Sequence, residues 1–168
     1  MTSDHYKYIR LQQAVMNNQN HITENLIAPC GMNCALCSRY MVHKFGLKKS
    51  SCRGCIPENR ECGYLFKRCR GINKPSKENA VFCFDCGEYP CKDINRMDKR
   101  YSQFYRMSVK DNLEFIKEKG IKEFIKDQYE KHKCSRCGGL ISVHNGRCFN
   151  CDEIRSLIDK EKKQGYTL

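Results

Sequence analysis

Closely spaced cysteines are the feature of this sequence that most constrains its fold. Fourteen of its 168 residues are cysteine, and ten of these form five pairs with the spacing C-x-x-C. Two cysteines at this spacing can direct both sulfur atoms at one metal ion, and four such thiolates complete a tetrahedral zinc site. The sequence therefore predicts a fold built around metal–sulfur bonds, with a smaller hydrophobic core than its length would otherwise require.

The surroundings of the cysteines favour reduced thiols. The first residues, MTSDHYKYIRLQQAVMNNQN, contain no apolar signal core, and no later stretch approaches the roughly 18 apolar residues of a membrane span. We therefore expect a cytoplasmic protein without membrane contact. In a reducing cytosol, C-x-x-C pairs are metal ligands or catalytic thiols far more often than disulfides.

The most specific motif lies near the C-terminus, where two C-x-x-C pairs are separated by ten residues. Asn145-Gly146 lies between them and is typical of a two-residue type I′ turn, in which both residues have positive φ. Such a hairpin would bring the two pairs together as a zinc ribbon, and Gly138 suits the turn after the first pair. The four predicted ligands are Cys134, Cys137, Cys148 and Cys151.

The other residues of this C-terminal segment are expected to have structural roles. A zinc ion with four thiolate ligands is closed, because no ligand position remains for water or substrate. We interpret Arg136, His144 and Arg147 as solvated loop residues around the zinc site. Asp152 suits the N-cap of a closing helix with three apolar residues on one face.

Residues 26–98 contain ten cysteines in four runs, CGMNCALC, CRGC, CGYLFKRC and CFDCGEYPC. Two four-thiolate sites would use eight of them, and the spacing leaves their pairing open. Together with the ribbon, this module predicts two to three Zn²⁺ ions. The candidate ligands are Cys30, Cys34, Cys37, Cys52, Cys55, Cys62, Cys69, Cys83, Cys86 and Cys91.

The first run, with the spacing CxxxCxxC, is also compatible with iron. A [4Fe–4S] cluster completed by a remote cysteine such as Cys91, which follows Pro90, is the alternative to zinc in residues 26–98. Radical S-adenosylmethionine enzymes share the spacing, but the chain after Cys37 lacks the alternating strands and helices of their barrel. A thioredoxin-like thiol pair is disfavoured for the same reason, since no βαβ pattern surrounds any pair.

An amphipathic helix pair is predicted where cysteines are absent. Ser108 and Asp111 form a capping-box start, Gly120 ends the first helix, and a second apolar stripe begins at Ile121. We expect the apolar faces of both helices to cover the cysteine-rich part, with His132 as a core or boundary residue.

The fold class predicted from these elements is a small metal-stabilised α+β protein. It combines an irregular cysteine-rich module with short helices, a helix pair, and a zinc-ribbon hairpin with a closing helix. The predicted segments are 1–25 (N-terminal helix with Tyr8, Leu11 and Val15 on one face), 26–98 (ten-cysteine module), 99–133 (helix pair) and 134–168 (zinc ribbon and closing helix).

Taken in order, the motifs CGxxCxxC, CxGC and CxxCxEYPC, the helix pair MSVKDNLEFIKEKGIKEF and the run CSRCGGLISVHNGRCFNC resemble the cysteine-rich prokaryotic family known as domain of unknown function 3795. The likeness runs from Leu26 to Cys151. The resemblance implies a metal-binding, cysteine-rich module without an assigned activity. Within CGYLFKRC, Cys62 and Cys69 match the family pattern less closely than the other eight cysteines of residues 26–98.

Positive charge is concentrated in residues 38–75, which hold ten Lys or Arg residues against two Glu and carry +8 of the formal +12. Three zinc–thiolate sites would each contribute about −2 and reduce the net charge of the chain to about +6. Residues 99–106, KRYSQFYR, mix basic and aromatic side chains, a composition that can follow a phosphate backbone and stack on bases. We expect these two segments to bind a nucleic acid or protein partner.

The leading hypothesis is a non-catalytic protein with several metal sites, mainly zinc, that presents this basic surface to its partner. The alternative is an iron–sulfur protein in electron transfer or redox sensing. Catalysis is the least supported class, because HExxH, GxSxG and a glycine-rich phosphate loop are absent from the sequence. His43 follows Cys37 on a predicted helix, and we interpret it as an exposed helix residue.

Overall fold

Four α-helices form most of the regular structure in the part of the chain that the structure describes. The structure, a computed structural model, describes residues 22–47, 52–55, 69 and 81–152. The helices are α1 (Ser38–Lys44), α2 (Lys92–Tyr105), α3 (Val109–Lys119) and α4 (Ile121–His132), and the single 3₁₀ turns are Glu24–Leu26, Cys34–Leu36 and Cys83–Asp85. None of the described helices has both the length and the apolar character needed to cross a bilayer.

Several predicted features lie outside the described residues. These are the N-terminal helix with Tyr8, Leu11 and Val15, the cysteine Cys62, most of the basic segment 38–75, and the closing helix after Asp152.

The amphipathic helix pair is confirmed. Ser108 Oγ caps α3 by accepting a hydrogen bond from the Asp111 N–H at 3.0 Å. Gly120 ends α3, and α4 begins at the next residue. The two helices pack against each other through Phe115 and Phe124, whose ring centroids are 5.9 Å apart.

Extended pairing in the described part of the chain is limited to isolated bridges. There are three, all antiparallel: Ile27 with Asn33, Lys133 with Leu140, and Ile141 with Cys148. The α+β prediction is therefore wrong in its β component for these residues. The first two bridges each enclose a turn that contains cysteine, and the third encloses the short turn at residues 142–147, so none of the three extends into a ladder of several residues.

The predicted type I′ turn is also wrong. Gly146 has a φ of 64°, but Asn145 does not have a positive φ. Instead, the Gly146 N–H donates to the Ser142 carbonyl at 2.9 Å and closes a longer reversal. Asn145 contributes through its side chain, whose Oδ1 accepts from the Arg147 N–H at 3.1 Å.

Helix α2 joins the cysteine-rich segment to the helix pair. It runs continuously across the predicted boundary between the segments 26–98 and 99–133. Cys91 is its N-cap, and Ile94 is buried in the core. Asp98 accepts hydrogen bonds from Ser108 Oγ at 2.7 Å and from the Lys110 N–H at 3.1 Å. These contacts hold the C-terminal half of α2 against the start of α3.

The hydrophobic core is contiguous and draws on every described helix and on the cysteine-rich loops. The most buried large apolar side chains, each at most 1% exposed, are Ile27, Leu36, Ile94, Val109, Leu113 and Phe124. The helix pair therefore covers the first cysteine loop, as the sequence predicts. The core is larger than expected for a fold dominated by metal–sulfur bonds, because α2, α3 and α4 all bury a face in it.

Gly31, the glycine of CGMNC, lies directly against the first turns of α3. Its φ is 79°, and an added Cβ would lie 2.7 Å from the Val109 carbonyl oxygen and 2.8 Å from Leu113 Cγ. Asn112 Nδ2 donates to the Gly31 carbonyl at 2.9 Å and fixes the contact. The first cysteine motif thus requires glycine at this position for both its backbone conformation and its packing.

Gly31→Ala is expected to lower the free energy of unfolding by about 3 kcal/mol, because overpacking adds to the strain of a left-handed backbone. Gly46→Ala is the matched control: Gly46 has a φ of 68°, but an added Cβ would have no neighbour within 4 Å. Its expected loss is about 1 kcal/mol. Urea denaturation of both variants measures the difference, and equal losses would contradict the close packing of α3 on the loop.

Candidate metal centres

The four C-terminal cysteines converge on one point. The Sγ atoms of Cys134, Cys137, Cys148 and Cys151 all lie within 4.8 Å of one another. Cys134 Sγ is 3.9 Å from Cys151 Sγ, and Cys137 Sγ is 3.6 Å from Cys148 Sγ. In a tetrahedral site with Zn–S bonds of about 2.3 Å, neighbouring sulfurs are about 3.8 Å apart. The donor set and its spacing therefore fit one tetrahedrally coordinated metal ion.

Backbone hydrogen bonds fold the first pair of this cluster into a tight turn. The Cys134 N–H donates to the Gly139 carbonyl at 2.6 Å, and the Gly138 N–H donates to the Cys134 carbonyl at 2.8 Å. Gly138 has the predicted positive φ, 70°. The Gly139 N–H donates to Cys137 Sγ at 3.4 Å. Amide donors of this kind orient and stabilise a thiolate ligand.

Asp152 links the two halves of the cluster. Its Oδ2 accepts from the Cys148 N–H at 2.9 Å, and its Oδ1 accepts from the Arg136 guanidinium at 2.5 Å. These hydrogen bonds lower the pKa of the Asp152 carboxyl. Arg136 is exposed, as predicted, but it has a specific partner across the cluster.

The thiols of this cluster ionise unequally. The hydrogen bond from the Arg136 N–H is the main cause that lowers the pKa of Cys134 to about 6, whereas burial raises the pKa of Cys148 to about 12. One thiolate forms readily, and further thiolates are opposed because their charges would lie within 4.8 Å of the first. A divalent cation removes this opposition, since cysteines that bind it are deprotonated.

A second group contains Cys69, Cys83, Cys86 and Cys91. Cys83 is buried, which raises its pKa to about 12, and the negative charges of Cys69, Cys91 and Cys86 act in the same direction. Cys69, Cys86 and Cys91 therefore lie close enough to Cys83 for their charges to act on its thiol. The Cys83 N–H also donates to the Pro29 carbonyl at 2.7 Å and ties this group to the first cysteine loop.

The remaining described cysteines belong to the first motif and to the CRGC run. They are Cys30, Cys34, Cys37, Cys52 and Cys55. Cys34 Sγ lies 3.9 Å from Cys55 Sγ, which matches the edge of a tetrahedral thiolate site, and the Gly54 N–H donates to Cys52 Sγ at 3.4 Å. Burial, followed by the charges of Cys37, Cys30 and Cys34, raises the pKa of Tyr101. The two C-x-x-C pairs of this group are thus joined in space through Cys34 and Cys55.

Spacing left the grouping of the cysteines in residues 26–98 open, and the structure gives two partial indications of it. Cys34 Sγ lies beside Cys55 Sγ, and Cys69 lies near enough to Cys83 for its charge to act on that thiol. None of the described cysteines forms a disulfide. Among the described residues, the C-terminal four are the set whose ligand atoms all lie within 4.8 Å of one another.

His144 is a structural residue that sequence analysis missed, and its interpretation as a solvated loop residue is wrong. Its Nδ1 accepts from the Ser38 N–H at 3.1 Å, and its Nε2 lies 2.9 Å from the Tyr101 hydroxyl. Its ring is edge-on to Tyr105 at a centroid distance of 4.7 Å. Because its partners are distant in sequence, the loop SVHNG carries no local signal of this role.

The contacts of His144 require a neutral ring. Nδ1 accepts a backbone hydrogen bond, so the proton of the neutral imidazole lies on Nε2 and is donated to Tyr101. Burial, with the nearby charges of Arg39 and Arg100, lowers the pKa of His144 to about 4. The residue therefore docks the C-terminal cysteine loop onto α1 and α2 only in its uncharged form.

The other two histidines discussed from the sequence are half-buried. His132 lies at the end of α4 at the boundary of the core, as predicted, and burial lowers its pKa. His43 lies on α1, but it faces a cavity and is less exposed than predicted. Neither histidine belongs to a cysteine group.

The comparisons with known proteins bear on the first two cysteine groups. The family described as "Protein of unknown function (DUF3795)" matches residues 26–96. The matched segment extends from the first cysteine motif into α2, so it supports the family for less than half of the chain and does not include the C-terminal cluster. No curated protein and no solved structure matches the chain.

His144→Gln is expected to reduce the dependence of stability on pH between 7 and 5. The unfolded chain binds a proton near the ordinary pKa of 6.5, whereas the folded protein does so only near pH 4. The unfolded state therefore takes up the extra proton in this window, and His144 makes the protein about 2 kcal/mol less stable at pH 5 than at pH 7.

Urea denaturation of the metal-loaded protein at both pH values measures this effect. All variants keep the same cysteines, so protonation of thiolates affects them equally. His132→Gln leaves the His144 contacts intact and should keep most of the wild-type pH dependence. The same pH dependence in wild type and His144→Gln would contradict the neutral, buried role of His144.

Proposed function

We propose that the protein is a structural zinc protein with up to three Zn²⁺ ions, which presents a basic surface to a single-stranded nucleic acid. The main support for this proposal is the convergence of four cysteine Sγ atoms at the C-terminal cluster. The Sγ–Sγ distance is 3.6 Å between Cys137 and Cys148 and 3.9 Å between Cys134 and Cys151. Four thiolates in a tetrahedral arrangement favour zinc as the bound metal. Such a site is closed, because no coordination position of the ion remains open. In this proposal the cluster is a zinc ribbon whose two knuckles are joined by the 142–147 reversal.

The two other cysteine groups extend the proposal to residues 26–98. The Cys34 to Cys55 distance of 3.9 Å suits two ligands of one ion. Ligands of a [4Fe–4S] cluster bind different iron atoms, and the bridging sulfides keep those ligands further apart. Cys91 lies within electrostatic reach of Cys83, which favours its membership of the second group over a role as remote ligand to the first motif.

Cys148→Ser is expected to remove about one of three zinc equivalents per chain, because the C-terminal site needs all four thiolates. Cys83→Ser is the matched variant and should remove a different equivalent. Element analysis of protein purified without oxygen, with a visible spectrum of the same sample, measures both metal content and type. A brown protein with iron and sulfide in equal amounts would instead establish the iron–sulfur alternative.

The proposed partner surface includes the outer face of α2. Lys92, Arg96 and Lys99 are exposed and recur at helical spacing on one face. Arg96 also pairs with Asp93 at 2.5 Å, so Lys92 and Lys99 are the stronger candidates for phosphate contacts. In the basic segment 38–75, the described cations are Arg39, Lys44 and Arg53.

Of the three aromatic side chains of KRYSQFYR, two are packed against other residues and one is exposed to solvent. Tyr101 and Tyr105 pack against His144 with centroid distances of 5.6 Å and 4.7 Å. Phe104 is 55% exposed and lies one turn after Arg100 on α2. Phe104 is therefore the aromatic side chain of this segment that is placed to stack on an unpaired base.

Lys92→Gln with Lys99→Gln is expected to weaken RNA binding and to reduce the slope of log affinity against log salt by about 2, because two phosphate contacts are lost. Phe104→Ala should weaken binding by about 1–3 kcal/mol at every salt concentration. Fluorescence anisotropy with a labelled single-stranded RNA across a salt series measures both effects. Lys117→Gln with Lys122→Gln, on α3 and α4, is the charge-matched control. Binding that is absent, or that both double variants weaken equally, would rule out this surface and favour a protein partner.

A further inference from the structure

Two arginines from different helices flank the ring of His144. Arg39 directly follows Ser38, whose N–H donates to His144 Nδ1 at 3.1 Å. Arg100 directly precedes Tyr101, whose hydroxyl lies 2.9 Å from His144 Nε2. Both arginines lie close enough to the ring for their charges to act on it. Docking of the C-terminal loop therefore brings a cation of α1 and a cation of α2 to one imidazole.

These two arginines have no carboxylate partner in the described part of the chain. None of the ion pairs among the described residues includes Arg39 or Arg100. His144 is neutral in the folded protein and does not balance their charge. Arg39 is half-buried and Arg100 is exposed, so the pair is open to solvent on one side. Guanidinium groups in this situation attract an oxyanion, and each can donate two parallel hydrogen bonds to a phosphate.

An exposed aromatic ring lies one helical turn from this pair. Phe104 follows Arg100 by four residues on α2, a spacing that puts their Cβ atoms about 5–6 Å apart. The Phe104 ring centroid is 6.5 Å from that of Tyr105, whose ring is in turn edge-on to His144. Phe104 thus belongs to the same cluster of rings as His144, and it is the exposed member. Cations beside an exposed ring are the combination that binds single strands of nucleic acid.

We propose that Arg39, Arg100 and Phe104 bind one nucleotide of a single strand, with its phosphodiester on the two arginines and its base on the Phe104 ring. This assignment rests on the proposed nucleic-acid function and deepens it, because one phosphate is shared by two helices that the C-terminal loop holds together. Lys92 and Lys99 differ from the arginine pair, since each of them contacts a phosphate of its own. Stacking on Phe104 requires an unpaired base, whose face is not covered by neighbouring bases.

A competing role for the arginines is to balance the charge of the first cysteine group. The charges of three of its cysteines act on Tyr101, the neighbour of Arg100. In that role the arginines would stabilise metal-bound thiolates. Their removal would then change the metal content of the protein, whereas removal of a phosphate contact changes the affinity for RNA and its salt dependence.

The test is fluorescence anisotropy of the purified full chain, with its native metal, on a labelled single-stranded RNA across a salt series. Arg39→Gln with Arg100→Gln is expected to weaken binding about tenfold. The same double variant should reduce the slope of log affinity against log salt by about 1, because the two arginines share one phosphate. Lys117→Gln with Lys122→Gln is the charge-matched control and should leave both quantities unchanged. The metal content of every variant is measured on the same samples.

A phosphodiester strand of the same length without bases separates the two halves of the site. Phe104→Ala is expected to weaken binding of the RNA and to leave binding of the base-free strand unchanged, because only a base contacts the ring. Arg39→Gln should weaken binding of both strands, since it acts on the phosphate. Arg39→Lys keeps the charge but loses the two parallel hydrogen bonds, so it should retain the salt slope and recover part of the affinity.

Several results would overturn this assignment while RNA binding itself persists. They are an arginine double variant that binds RNA as the wild type does, a loss of bound metal in that variant, and equal effects of Phe104→Ala on the two strands. A slope reduction of about 2 for the arginine pair would also overturn it, since each arginine would then contact a separate phosphate. A wild-type protein that binds no RNA would instead remove the proposed nucleic-acid function, and this site with it.

Discussion

Thiol groups that lie 3.6 Å to 3.9 Å apart without forming disulfides are the constraint on which this structure depends. As neutral thiols they make only weak hydrogen bonds, and as thiolates they repel one another. A divalent cation converts this arrangement into a strong attraction, because it binds the thiolates and releases their protons. The backbone already supports that state, since amides of Gly54 and Gly139 donate to sulfur atoms.

The cysteine loops pack against a hydrophobic core. The first cysteine loop is held between the start of α3 at Gly31 and the C-terminal loop at His144. The Val143 N–H also donates to the Leu36 carbonyl at 3.0 Å, so the C-terminal loop contacts the first motif through backbone as well as side-chain atoms. A metal ion bound by the cysteines and apolar burial by the helices would therefore stabilise the same loop.

Local patterns in the sequence predict the elements that depend on nearby residues. The helix pair follows from apolar periodicity, Ser108 and Gly120, and the C-terminal cluster follows from two C-x-x-C pairs at a fixed separation. The grouping of the other cysteines could not be predicted, because it depends on how the chain returns to the first loop. The Asn145-Gly146 turn differs from its local preference, since the Gly146 N–H bonds to the Ser142 carbonyl and closes a longer turn than the two-residue type. His144 was missed for a related reason, since its partners lie on α1 and α2.

The hydrogen bond between Ser38 and His144 joins residues that are 106 positions apart. During synthesis the first cysteine motif leaves the ribosome long before the loop that docks on it. The backbone amide of Ser38 and the hydroxyl of Tyr101 acquire their native partner only when nearly the whole chain has been translated. Cysteines of the first motif that bind a metal ion in a nascent chain would therefore do so before the C-terminal loop packs on them, and the last translated quarter of the described chain would complete that packing.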